Sequence, residues 1–236
     1  MKVRKIMSVG YLILILTVAC GSDDDTFRYD VDSLGGVWMS FKAGSGFDNV
    51  KWIVFDGEGY IIDDLPRMGL YEITEADLSN YTLGTYAVNG RNVQASTAYN
   101  SYTFNWADMN TLTREGHTYK FYRCTVKDNM RLNGSWTTYS NTSDPYLDQD
   151  GARPVLTLGS DGTFIDRGLW VTNFTDPYAN AEAVPGNGTY KILNYTLLLT
   201  YSDGRVRKRS FTGTVNQDPS NNADLLYIGN NPVHKR

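Results

Sequence analysis

The chain carries one succession of signals twice. Gly36-Val37-Trp38 returns as Gly134-Ser135-Trp136. The turn Asp56-Gly57 leading into Tyr60-Ile61 returns as Asp161-Gly162 leading into Phe164-Ile165, and Gly84-Thr85-Tyr86 returns as Gly188-Thr189-Tyr190. Each half closes on a basic end, Tyr122-Arg123 and then Lys235-Arg236. A duplication of this kind allows two solutions: each copy folds around its own core, or both copies weave into one larger barrel or sandwich. Each half holds its own opening Trp, central hairpins and closing strand, so we read two tandem modules, 34–125 and 126–236, with the boundary near 124–129. A length of 236 residues suits one or two domains. Each module could bury roughly 60% of its unfolded surface, enough for an autonomous core.

Short alternating runs rich in Tyr, Thr, Val, Ile and Phe recur between Gly, Asn and Asp clusters, and no segment after Cys20 keeps a helical period. The expected class is all-β. The clearest strand is Tyr195 to Tyr201, with Tyr195, Leu197, Leu199 and Tyr201 on one face. Ser202-Asp203-Gly204 then supplies the positive φ of a tight hairpin. Further hairpins are marked by Asp56-Gly57, Asn89-Gly90 and Asp161-Gly162, and the helix candidate is a turn or two near Glu75 to Ser79.

The first residues set an address. Lys2, Arg4 and Lys5 precede an apolar run, 6–19, too short for the about 20 helical residues that span a bilayer. The run reads as a signal peptide, 1–19. Its end, Leu16-Thr17-Val18-Ala19-Cys20, resembles a bacterial lipobox, although Thr17 stands where Leu is usual. The resemblance implies a lipidated Cys20 at the mature terminus, with acyl chains that tether the protein to a membrane without spanning it. The alternative is an ordinary secretory signal with an incidental Cys. The acidic cluster Gly21-Ser22-Asp23-Asp24-Asp25 resembles the export tag of surface lipoproteins in Bacteroidetes-type bacteria. It implies an outer-membrane anchor with the fold displayed at the cell surface, and 20–33 serve as lipidated Cys and tether. Net charge is −4, and more negative once the basic signal is removed, so nucleic acid is a poor partner.

A Gly-x-Trp near the start, a meander of antiparallel hairpins and an Arg on the final strand resemble lipocalin-like proteins. The resemblance covers both halves and implies two small antiparallel barrels without free sheet edges. It also implies that the opening Trp plugs one barrel end with a late Arg across its indole. Carried over, the closing pairs are Trp38 with Arg123 and Trp136 with Arg236. Each half is shorter than a full lipocalin and lacks the usual Thr-Asp-Tyr turn, so a core filled by its own side chains is as consistent as a hollow one.

Long polar loops interrupt the second module at 141–154 and 174–186. Tyr146, Trp170 and Tyr178 could present aromatic faces to a sugar ring, with Asp144 and Asp176 taking hydroxyls. The same Asp-Pro-Tyr runs also serve as turn chemistry. Asp144, Asp148 and Asp150 share one loop, but their spacing matches no Ca²⁺ loop, and no metal or other cofactor is expected. Arg205, Arg207 and Arg209 alternate with Lys208 opposite. They either meet an anionic polysaccharide or lipid headgroup, or solvate an outer face.

Cys124 reads as a small buried hydrophobe at the module junction. His117 and His234 have no Ser or carboxylate partner at a recognisable spacing, and nothing favours a pair of hydrolytic acids. Together these signals point to a surface-anchored, non-enzymatic lipoprotein that binds a glycan or small amphipathic ligand. The alternative is an accessory protein of an envelope assembly, with protein partners unspecified.

Overall fold

A computed structural model of the chain describes residues 31–41, 50–138, 155–169, 185–215, 217–221 and 223–236. The described strands form two closed antiparallel barrels in tandem, each a meander in sequence order. The first barrel comprises β1 (Gly36–Phe41), β2 (Val50–Phe55), β3 (Tyr60–Ile62), β4 (Leu83–Asn89), β5 (Asn92–Thr97), β6 (Ser101–Asp108), β7 (Thr111–Arg114) and β8 (Lys120–Arg123). The second comprises β9 (Gly134–Thr138), β10 (Val155–Leu158), β11 (Thr163–Asp166), β12 (Gly186–Leu193), β13 (Thr196–Tyr201), β14 (Val206–Gly213), β15 (Leu225–Ile228) and β16 (Asn231–Lys235). In each case the last strand pairs back onto the first, β8 on β1 and β16 on β9, which leaves no sheet edge. This arrangement is consistent with tandem lipocalin-like domains.

The repeated tripeptides mark equivalent places. A Cβ at Gly84 would stand 2.0 Å from the Ser96 carbonyl oxygen, and one at Gly188 would stand 2.0 Å from that of Thr200. Glycine is required at both because the neighbouring strand's backbone occupies the space of a side chain. Tyr86 and Tyr190 follow and turn inward.

Among the described residues, two short helices accompany the barrels. α1 (Val31–Leu34) leads into β1. α2 (Glu75–Leu78) falls where the sequence places it and is held by a reciprocal cap: Asp77 N donates to Thr74 Oγ1, and Thr74 N donates to Asp77 Oδ2. One strand boundary differs from the sequence reading. Asn194 and Tyr195, at φ 41° and 55°, are the two turn residues between β12 and β13, so the strand starts at Thr196. The phenol of Tyr195 leaves the core alternation and donates to the Cys124 carbonyl at 3.1 Å.

The barrel interiors are occupied by side chains. In the first, Trp38, Phe55, Phe104, Trp106 and Phe121 are buried, with Phe55 against Phe104 and Phe104 against Phe121, edge to face. In the second, Trp136, Phe164 and Phe211 are joined by Leu156, Leu158, Leu197 and Leu199. A third apolar cluster lies between the barrels. The outer faces of β1 and β2, carrying Val37, Met39, Trp52 and Val54, pack with Cys124 against Leu225 and Tyr227 of β15.

Polar contacts fix the junction. Ser210 N donates to the Arg67 carbonyl at 2.7 Å, Asn230 Nδ2 to that of Leu65 at 2.6 Å, and Tyr71 N to Thr196 Oγ1 at 2.9 Å. Gly69, at φ +84°, lets the chain pass so close that a Cβ there would lie 2.1 Å from Thr196 Oγ1. Cys124 is buried in this cluster, and burial pushes its thiol well above the ordinary range.

Candidate functional site: the polar rim of the first barrel

One end of each barrel is closed around its opening Trp. Arg123 holds its guanidinium carbon 4.4 Å from the Trp38 ring centroid and donates Nε to the Met109 carbonyl, Nη1 to Gly35 and Nη2 to Ser33. Gly36 stands beside it at φ +127°, a backbone conformation that favours glycine.

The second barrel departs from the expected pairing. Lys235 stands in register with Trp136 as Arg123 does with Trp38, while Arg236 is exposed and gives its backbone amide to the Ser135 carbonyl at 2.8 Å. A shift of one position along a strand exchanges faces, so the cation that accompanies Trp136 is Lys235. A Cβ on Gly134 would meet Lys235 Cε at 3.0 Å and the indole at 3.1 Å, whereas one on Gly36 would meet the Tyr195 hydroxyl first, at 3.2 Å.

The other residues singled out in the sequence are distributed differently. Cys20, Asp144, Tyr146, Trp170, Asp176 and Tyr178 lie outside the described residues, as do Asp148 and Asp150. Arg207 and Arg209 stand opposite Leu199 and Leu197, both core residues, so the arginines occupy the inner face of β14 and not the outer one. Arg205 lies 4.2 Å over the Tyr201 ring, whose hydroxyl donates to Asp166 at 2.7 Å. Lys208 points the other way, to the Tyr71 carbonyl and Glu72 across the junction.

At the end of the first barrel away from Trp38, the inward positions turn polar. Strand alternation identifies them, because each lies two residues from a member of the buried core. Ser40 follows Trp38, Lys51 precedes Ile53, Asp63 follows Ile61, Arg114 follows Leu112 and Tyr119 precedes Phe121. Tyr102, two residues before Phe104, belongs to the core itself.

These groups form a chain of contacts. Lys51 Nζ lies 2.6 Å from Asp63 Oδ1, and Tyr102 donates its hydroxyl to Asp63 Oδ2. Arg114 stacks on Tyr102 with its guanidinium carbon 4.5 Å from the ring centroid and donates Nη1 to Tyr119 at 3.1 Å. Burial, then the hydrogen bond to Asp63, raises the Tyr102 phenol, so it stays a donor to the carboxylate at neutral pH. Below lies an aromatic floor: Tyr102 stacks on Phe104 at 5.8 Å, and Tyr119 meets Phe121 edge-on at 5.9 Å.

The rim's hydrogen-bonding capacity is not used up internally. Ser40 Oγ is buried with no hydrogen-bond partner among the described residues. Arg114 brings five N–H donors, and among the described residues its one hydrogen bond is that to Tyr119. The set therefore combines a guanidinium fork, an ammonium, a carboxylate acceptor, phenols and a flat ring surface. Among the described residues no three His, Cys, Asp or Glu side chains gather as a metal group.

None of these six positions stood out as a motif, because their meaning comes from the hydrophobic neighbour two residues away. Reading each strand's apolar face outward until it turns polar is the signal that would have found them. No protein-family model, curated protein or solved structure matches this chain.

Proposed function

We propose that this is a lipid-anchored surface protein, of the Bacteroidetes type that residues 16–25 resemble, whose first barrel binds the end of a glycan at its polar rim without catalysing a reaction. The observation that carries the reading is the partly unspent polar ring over aromatic rings. A pyranose offers CH faces that pack on π surfaces and hydroxyls that both donate and accept. Ser40, Lys51, Asp63 and Arg114 supply the complementary polar groups, and the half-buried Tyr119 supplies an aromatic face. Asp63 is the one carboxylate among the six rim residues, whereas glycoside hydrolysis takes two flanking carboxyl groups. That supports binding over turnover.

A glycan-array screen of the full chain tests the reading. The expected result is a defined set of saccharide hits, weakened about tenfold or more in Arg114→Met, which deletes the fork but keeps the stem over Tyr102. Silence across neutral and acidic sugars overturns it. Metabolic labelling with a radioactive fatty acid tests the anchor separately: label is incorporated by the wild type and lost in Cys20→Ala.

A further inference from the structure

A pocket lies at the junction, lined by the first barrel, its connection 63–82 and one turn of the second barrel. Its volume is about 460 Å³, within the range of small-molecule sites, and one side is open to solvent. Its wall on one side is the outer face of the first barrel, where Val54, Ile62 and Leu83 stand on neighbouring strands. The connection 63–82 passes over them and contributes Leu70, Ile73 and Leu78, and the turn Asn194-Tyr195 of the second barrel closes a further side. Tyr60 and Leu83 remain 61% and 47% exposed. The strained φ of Tyr195 is held where that side chain helps define the cavity.

The polar atoms at the edge differ from those of the rim in one respect: they accept. Asp56 Oδ1 is taken by the amides of Glu58, Gly59 and Tyr60 at 2.7, 3.0 and 2.9 Å, which leaves Oδ2 as an anionic acceptor. Asn194 gives Nδ2 to the Leu70 carbonyl at 3.3 Å, which leaves its Oδ1. The Tyr195 hydroxyl is directed to the Cys124 carbonyl. The neighbouring cation, Arg123, directs all three of its nitrogens to carbonyls. A carboxylate or phosphate would therefore meet repulsion from Asp56 without a waiting donor, while an amine or hydroxyl would find acceptors.

We propose that this inter-barrel cavity binds a small amphipathic molecule whose apolar body lies against Val54, Ile62 and Leu78 and whose polar end, an amine or hydroxyl, donates to Asp56 and Asn194. The site is separate from the rim, and its occupation does not depend on glycan binding. It also gives the fixed junction a purpose, since a hinge between the barrels would open the wall formed by Asn194 and Tyr195.

The test is a fluorescence titration of the full chain with 1-aminoanthracene, a flat apolar amine, followed by displacement. Saturable one-site enhancement is expected, displaced by decylamine and 1-decanol at concentrations about tenfold or more below that needed for decanoate. Asp56→Asn keeps an oxygen for the turn amides and removes the charge, so it should bring decylamine and decanoate within about threefold of each other. Ile73→Trp fills the chamber and should abolish enhancement; if that variant does not fold, Leu83→Lys at the exposed mouth decides in its place. Absence of saturable enhancement, equal displacement by decanoate, or unchanged binding in the folded filling variant overturns the proposal. Arg114→Met should leave the titration unchanged, so failure here and failure of the glycan reading are told apart.

Discussion

In the first barrel the Trp38 indole donates to the Leu34 carbonyl four residues back, at 3.0 Å, whereas Trp136 in the second donates to the Ala223 carbonyl 87 residues on. The cores differ in the same spirit, linked rings in one and mostly leucines around the indole in the other. The same Gly-x-Trp therefore builds a closed end with either a local or a remote lid. What the duplicated tripeptide specifies is the inward indole and the space beside it for a cation; the covering segment was free to change. The far ends diverge too, with Lys51 and Arg114 around Asp63 in one barrel and Arg205 over the Tyr201–Asp166 pair in the other.

The largest effects should come from what the barrels share. Both indoles are fully buried, so Trp38→Ala and Trp136→Ala should each lower the free energy of unfolding by about 3–5 kcal/mol. Urea denaturation measures this, and a loss under about 1 kcal/mol for either indole would show that it does not organise its core. The next effect should split the barrels. Arg123 is half-buried, stacked, and bonded to three carbonyls, while Lys235 is exposed. Arg123→Ala should cost about 2–3 kcal/mol and Lys235→Ala about 0.5 or less. Equal losses in the same assay would mean that the second barrel's closing cation carries a similar structural role despite its exposure.

A smaller contrast concerns the repeated tyrosines. The Tyr190 hydroxyl accepts from Leu132 N at 2.8 Å and lies 3.0 Å from the Gly159 carbonyl oxygen, whereas that of Tyr86 accepts from Gly57 N at 3.2 Å. Tyr190→Phe leaves a buried amide unpaired and should cost about 1–3 kcal/mol; Tyr86→Phe should cost about 1 or less. Thermal unfolding of the two variants, expected to rank Tyr190→Phe lower, checks the order.

The duplication, the all-β class, the hairpin turns and α2 were legible because each is written in residues close along the chain, as the Asp-Gly turns and the period-two alternation are. Trp38 with Arg123 came from resemblance and lies in register as that resemblance implies. Arg236 did not, because the end of a strand gives no sign of which of two adjacent basic residues faces inward until the pairing with β9 is known. The arginines of β14 show a related gap. Alternation put them on one face, yet only their partners Leu197 and Leu199 reveal which face that is. The rim and the inter-barrel cavity were illegible for a deeper reason. Ser40 and Arg114 lie on strands far apart in sequence, and Asn194 meets Leu70 across the junction, so closure and docking bring together groups that no local spacing connects.

The last contrast separates the equivalent tyrosines by their electrostatic surroundings. Burial, then the Asp56 carboxylate, pushes the Tyr86 phenol up to about 12. Burial also raises Tyr190, but Arg131, 5.3 Å over its ring, favours the phenolate and opposes the shift. In both, the folded state holds its proton above the ordinary phenol pKa of about 10. The stabilisation is therefore complete below pH 10 and is lost as pH rises through the folded value, since the unfolded chain releases its protons first. Absorbance at 295 nm should show Tyr86 among the last phenols to ionise, after Tyr190, and the absorbance assigned to it should vanish in Tyr86→Phe. Thermal stability should fall between pH 10 and 12, with a shallower slope in that variant. Ionisation of Tyr86 near pH 10 in a chain that circular dichroism shows still folded would mean that its hydroxyl is solvated, and that the two barrels do not differ at this position in the way their neighbouring charges imply.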